Sequence, residues 1–555
     1  MLIAAIALLS VFASCAGSEE AIAKLVPEDA LLYAQVSNPE LFLSNTDAFI
    51  ANVGLSMFMG GKNLESTLAS VPDLGWSDLK KAVDLKRPLG MVMSGASMDN
   101  PSIRLLVPVI DIKSLTSLLE SKNAKVIGPF NGYAVVFPNE GEAPVYPLAK
   151  HMDISLLKAY PAHSVAMIMS YNKIFTPEML SSLDEESGPA KPFIGIMKDM
   201  IASMDKIAFA VAVDGKTVSL KEDLTYVKGS AYEKMGTMYG EAGRLAYLPR
   251  LTTSEMLGVV SNAAIKDTAI FGSLMKPLFT LIGISETDGA AIIALVNEST
   301  ANFGGQGFAS IDVDYQGPAD AEPLDIMKGL SLNVTAASDL KSSDTAKAQL
   351  KKGIDLSNTL ITSIMAKLMA AEKGVESMTA ADLPVTFSFA LLENQNESGV
   401  AHDQIQFSYL AQDPAIADET SFAEGMDLIR KLIDTRIAYK DNVQYFSMGT
   451  NSLENLKAIQ SATPAGKSIS SMEAYKALSV FLHEKPSMVM HINIARIANM
   501  VSKNSGTALN LNEDVPGLLA SVAYTEKSTG ISMVVSNDEL RNYIMPLLPL
   551  LMGAQ

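Results

Sequence analysis

The chain has 555 residues, 48% hydrophobic and 19% charged, with 61 Asp and Glu against 43 Lys and Arg for a formal net charge of −18. That length suits two to four domains, and the acidic balance leaves no clustered cationic surface with which to displace counterions from nucleic acid. One cysteine excludes an intrachain disulfide and any multi-cysteine metal centre. Five histidines, at 151, 163, 402, 483 and 491, form no His-Glu-x-x-His pair, so no metal or other cofactor is implied.

The N-terminus reads MLIAAIALLSVFASC. Its apolar run from Leu2 to Val11 is too short to span a bilayer as a permanent helix and reads as an export signal over residues 1–14. Phe12-Ala13-Ser14-Cys15 resembles the lipobox of bacterial lipoproteins, which implies lipidation of Cys15 and membrane attachment through acyl chains worth about 0.8 kcal/mol per buried CH₂. An ordinary secretory signal with an incidental cysteine is the alternative. Residues 15–24 form the lipidated cysteine and a small, polar tether, and the lack of Asp after Cys15 points the resemblance toward the outer membrane.

Beyond the tether a pattern recurs in which a short apolar strand ends in Ser or Asn and feeds a helix. It occurs at 31–42, 165–176, 256–267 and 488–499, with a looser copy at 330–341. Ser and Asn suit such junctions because their side-chain oxygens accept from the first free N–H groups of a helix. Each copy is followed by two alternating segments that read as a β-hairpin: 89–95 with 103–111, 206–213 with 216–226, 291–298 with 308–315, 385–393 with 404–411, and 518–525 with 530–537. Asp214-Gly215 is the clearest of the turns. Further strands are expected at 131–138 and 442–449. A helical stripe of apolar residues, including Leu350, Ile354, Ile361, Leu368 and Met369, predicts one long helix from Asp339 to Lys373, stopped by Gly374. The tail from Ile544 to Met552 is apolar but short and broken by Pro546 and Pro549, so a packed terminal helix is expected.

These units predict an α+β fold of repeated strand-helix-hairpin units, with antiparallel sheets covered by helices on one face. They also predict duplicated halves: a first α+β domain at 25–248, an intervening unit at 249–328 and a second α+β domain at 329–555. The opening Leu25-Val26-Pro27-Glu28-Asp29, followed by Tyr33, resembles the Leu-Pro-x-Asp-x-x-x-Tyr start of an uncharacterised family of bacterial envelope lipoproteins. Segments 107–119 and 442–459 are similar to later parts of the same family. The resemblance implies an envelope location and transfers no catalytic residues.

Candidate chemistry is sparse. Gly95-Ala96-Ser97 lacks the closing glycine of a nucleophile elbow, because Asp99 stands there. Ser-x-x-Lys occurs at Ser77, Ser155 and Ser338 without companion motifs, and Gly466-Lys467-Ser468 lacks the first glycine of a phosphate loop. Asp312 and Asp314 mimic the start of a calcium loop, but Pro323 replaces its bidentate Glu and the segment alternates as a strand. Met-x-Met pairs at 57/59, 91/93, 167/169 and 488/490 could offer soft thioethers to Cu(I), yet period two places both sulfurs of a strand pair on one packed face. No catalytic residue is assigned. The expected role is a lipid-anchored, non-enzymatic envelope protein that binds or scaffolds another envelope component; the alternative is a lipid- or solute-binding lipoprotein with an apolar cavity. The partners implied are the membrane and an envelope protein or lipid ligand.

Overall fold

The computed structural model describes residues 19–553 apart from 57–59, 72–74, 96–100, 139–145, 162–163, 183–190, 231, 234–244, 263–271, 273–274, 277–278, 280–283, 319–320, 376–377, 418–419, 462–466, 505–508 and 526–527. Its strands are β1 (Ala30–Val36), β2 (Leu89–Ser94), β3 (Ser102–Pro108), β4 (Lys125–Phe130), β5 (Tyr133–Phe137), β6 (Ser164–Ser170), β7 (Met204–Val213), β8 (Thr217–Tyr226) and β9 (Leu257–Ser261). There follow β10 (Phe303–Tyr315), β11 (Leu330–Leu340), β12 (Val385–Glu397), β13 (Val400–Ala411), β14 (Thr435–Lys440), β15 (Val443–Gly449), β16 (Met488–Ile492), β17 (Leu518–Tyr524) and β18 (Ser528–Ser536). All 18 join one antiparallel sheet, where several were expected.

Across the sheet, the first half runs β4-β5-β3-β2-β1-β6-β7-β8. The second half runs β14-β15-β11-β10-β9-β16-β17-β18, the same order by position, and the two meet where β8 pairs with β18. Beyond β14 the second half adds β13 and β12, which form the outer edge.

Eleven of the helices shape the cores and clefts: α1 (Pro39–Asn52), α2 (Trp76–Ala82), α3 (Ile112–Glu120), α4 (Lys191–Ser203), α5 (Glu286–Asn302), α6 (Ser343–Lys373), α7 (Thr420–Leu432), α8 (Ser452–Gln460), α9 (Glu473–Ser479), α10 (Ile494–Asn504) and α11 (Asn537–Gly553). Junction residues cap as the sequence demands. Asn38 accepts from the Leu41 N–H at 2.7 Å to start α1, and Asp111 accepts from Lys113 and Ser114 N–H to start α3. Gly374, at φ 65°, follows the last turn of α6. The Asp214-Gly215 turn closes through an Asp214 N–H to Thr217 carbonyl bond of 3.0 Å.

One expected hairpin is not there. Residues 291–298 belong to helix α5, not to a strand. Their unbroken apolar run is compatible with either element, and the cap decides: Ser285 Oγ accepts from the Asp288 N–H at 3.1 Å and launches a 17-residue helix. The long helix also starts later than its apolar stripe suggested, because Asp339 and Leu340 finish β11.

In the first half both faces of the sheet are covered, with a cleft of about 340 Å³ left beside Gln35 and Met152. On the helix face, α1, α2 and α3 bury Phe42, Trp76, Leu79, Leu115 and Leu119 against Val36, Leu105 and Val136. Full burial of a leucine is worth about 1.5–3 kcal/mol. The opposite face carries Tyr33, Leu106, Tyr133 and Ile168 beneath segments 19–29 and 146–160. In the second half that opposite face is packed by helices as well: α8 and α9 contribute Leu456, Ile459, Tyr475 and Leu478 to the core with Val260, Phe308 and Leu519. The expectation of helices on one face is corrected accordingly. The sheet has two hydrophobic faces, and each needs a cover.

The methionine pairs fall where alternation puts them. Met91 and Met167 flank Ala34, and Met93 and Met169 flank Leu32, on the two sides of β1. Met488 and Met490 are half-buried in β16, and Met57 and Met59 lie outside the described residues.

Candidate functional site

Strands β10 and β11 have a cleft on each face. Period two sends Asn333, Thr335 and Ala337 of β11 to one face, and Ser338 and Leu340 to the other. The two clefts have opposite chemistry.

On the helix face, α5 and α6 stand over the sheet and leave a cleft of about 650 Å³. Ile292 and Leu295 line it from α5, Leu350, Ile354 and Leu360 from α6, and Phe303, Leu340 and Ile405 from the sheet. Gln349, Ser357, Ser338 and Gln444 supply its few polar atoms. Such a balance of apolar wall and sparse polar groups, at this volume, is typical of small-molecule sites. One end is fixed by Asn302, the last residue of α5. Its side chain donates to the Ser342 carbonyl at 2.8 Å and accepts from the Ser342 N–H at 3.0 Å, just ahead of α6. Exposed ion pairs, Lys352 with Glu298 at 2.8 Å and Lys351 with Glu393 at 2.9 Å, tie α6 to α5 and β12 at the rim. They set position more than stability.

Helix α6 also guards the sheet edge. Asn358 donates through Nδ2 to the Phe389 carbonyl at 2.9 Å and accepts the Phe389 N–H at 2.6 Å, occupying both outward backbone groups of that residue on edge strand β12. The β12–β13 hairpin is held to β14 by Arg436, whose Nη1 contacts Glu397 at 2.5 Å and His402 Nε2 at 2.8 Å while Nε donates to Asp434 at 3.1 Å.

On the opposite face lies a polar cleft of about 270 Å³, bounded by the loop before β9, by α8 and by the first turn of α10. Arg496 grips Asp312 bidentately, Nε to Oδ1 at 2.7 Å and Nη2 to Oδ2 at 2.9 Å, and reaches Glu513 at 3.3 Å. Arg250 donates to the Ile459 carbonyl at 2.6 Å and lies 5.7 Å from the Tyr247 ring centroid. Glu255 accepts from the Thr252 N–H at 2.8 Å and the Thr252 hydroxyl at 2.6 Å; burial pushes its carboxyl above the usual carboxylate range. Ser310 and Thr335 share a hydrogen bond of 2.8 Å across the floor.

A buried titratable cluster sits beside the β16–β17 connection. His491 is fully buried with neither ring nitrogen partnered, and burial pushes it down to about 4. Glu539, at the start of α11, accepts from the Gly517 N–H at 2.7 Å; burial pushes it up to about 7. Gly517 has φ 67°, and a side chain there would collide with the Ile492 carbonyl and lie 3.0 Å from His491 Nε2, so only glycine fits.

The only residue assigned a role from sequence, Cys15, lies outside the described residues, as do Ser97 and Gly466. Asp312 and Asp314 are strand residues, and Asp312 is spent on Arg496. Among the described residues no group of three His, Cys, Asp or Glu side chains is arranged to hold a metal ion, and no helix is long and apolar enough to cross a membrane. Neither cleft is legible in the sequence. Arg496 and Asp312 are 184 residues apart, and the apolar cleft uses a segment that reads equally well as a strand. No protein-family model, curated protein or solved structure matches the chain.

Proposed function

We propose that this is a non-enzymatic, lipid-anchored protein of the bacterial cell envelope that binds an apolar ligand, of the acyl-chain or lipid class, between α5, α6 and the sheet. The 650 Å³ cleft with its aliphatic walls carries this reading. It lies on residues whose polar atoms are few enough to orient a ligand and too few to hold a charged one. Attachment through Cys15 would keep the cleft near a bilayer, where such ligands partition.

We propose further that the halves descend from a duplication, which the shared strand order supports. On that reading the second copy begins at β9, and α6 with β12 and β13 is an insertion in it.

The test is direct. The full chain, purified in mild detergent and exchanged into buffer, is titrated with a fluorescent apolar probe such as 1-N-phenylnaphthylamine, and probe is competed with fatty acids. Saturable, displaceable binding that Leu350→Arg weakens by more than tenfold supports the reading. Probe binding that Leu350→Arg leaves unchanged overturns it and leaves a scaffolding role. Separately, Cys15→Ala is expected to move the protein from the membrane to the soluble fraction.

A further inference from the structure

Strand β3 of the first half buries a charge that the surrounding described residues do not neutralise. Arg104 is only 7% exposed, and its Nε and Nη1 have no hydrogen-bond partner. Ser94 on β2 is 2% exposed, and its hydroxyl is likewise unpartnered. The β2–β3 register sets Val92 opposite Arg104 and Ser94 opposite Ser102, so Arg104 and Ser94 are diagonal neighbours on one face. The guanidinium lies beside the Tyr146 hydroxyl, which itself donates to the Leu25 carbonyl at 3.4 Å. Among the described residues no carboxylate comes within ion-pair distance of it.

A desolvated arginine without a counter-charge costs several kcal/mol, and such groups persist when something neutralises them. Nε and Nη1 of the guanidinium and the hydroxyl of its diagonal neighbour Ser94 are left unanswered, and the acceptor the guanidinium does have, the Tyr146 hydroxyl, carries no charge. That is the complement of an anion. We propose that Arg104 and Ser94 form a buried binding site for one compact anion, a halide or a small oxyanion such as formate or phosphate, as a fixed structural component of the first half.

The full chain is melted at constant ionic strength while bulky gluconate is replaced stepwise by chloride, formate or phosphate; the anion that acts identifies the class. The expected result is a saturable rise in Tm with at least one of them, a half-saturation point about tenfold higher in Ser94→Ala, and no dependence in Arg104→Met. A wild-type Tm indifferent to all three, or a dependence that Arg104→Met retains, overturns the site. Should Arg104→Met fail to fold, crystals of the wild type grown in bromide decide: an anomalous peak between Arg104 and Ser94 supports the assignment, and its absence refutes it.

Discussion

The halves of the sheet share a strand order and differ in how they are closed. In the first, β1 places Tyr33 beside Ile168 of β6, and both are fully buried. At the matching register of the second, β9 places Gly258 beside His491 of β16. Where the first half has an aromatic and an aliphatic side chain the second has a glycine and a histidine, and Leu251 packs over the glycine, 2.6 Å from where a Gly258 Cβ would lie. The helix faces diverge in the same sense. Three short helices seal the first half around Leu115 and Trp76, whereas α5 and α6 stand apart over an apolar cleft. The first half keeps a cleft of about 340 Å³ beside Gln35 and Met152, whereas the second carries both the apolar cleft and the polar one on opposite faces of β10 and β11.

The largest effect should come from the first half. Leu106→Ala removes a fully buried side chain from a packed cluster and is expected to cost about 3–4 kcal/mol in denaturant unfolding. The next test concerns pH. His491 is depressed when folded, so its contribution is present above pH 6.5 and is lost as pH falls toward 4. Glu539 is raised, so its contribution is present below 4.5 and is lost as pH rises through about 7. Each limb spans on the order of 3 kcal/mol, but the two windows overlap and their slopes oppose, so the wild type should show only a shallow maximum, on the order of 0.5 kcal/mol, near pH 5–6. Thermal melts from pH 4 to 8 should uncover each limb in turn: His491→Ile leaves a fall in stability as pH rises from 4.5 through about 7, and Glu539→Gln leaves a fall as pH drops from 6.5 toward about 4. Variants whose profiles stay as shallow as that of the wild type would falsify the two shifts.

Asn358→Ala should cost about 1–2 kcal/mol by stripping two backbone hydrogen bonds from Phe389. It also reopens the edge of β12, so concentration-dependent association by light scattering is the more telling readout. The smallest loss is expected at the cleft. Leu295→Ala, at a half-buried wall position, should cost only about 1 kcal/mol while still weakening probe binding. A penalty as large as that of Leu106→Ala would mean that the cleft is closed core after all.

The strands are readable from sequence wherever alternation meets a turn residue, as at Asp214-Gly215 and along β6 with its alternating burial. Strands β4 and β14 escape that reading. Lys125–Phe130 has Gly128 and Pro129 in its middle, and Thr435–Lys440 carries polar residues at both ends, so neither alternates cleanly. Helix α5 is mistaken for a strand because its cap, Ser285 with Asp288, lies outside the apolar window. The sites are long-range in a stricter sense. Arg496 and Asp312 are brought together by strand order, which local pattern does not encode, whereas Ser94 and Arg104 share the expected 89–95/103–111 hairpin and only its register makes them neighbours.

The join between β8 and β18 has a consequence for how the chain is made. β8 is ten residues long, and its partner ends the second half, about 300 residues later in the chain. At ribosomal speeds of about 5–20 residues per second, the emerging first half waits roughly 15–60 s with that edge uncovered. A β18 from a second molecule whose own halves have not yet joined can fill it in the meantime. The same pairing that unites the halves is thus a route to exchange between copies, one that high chain concentration favours.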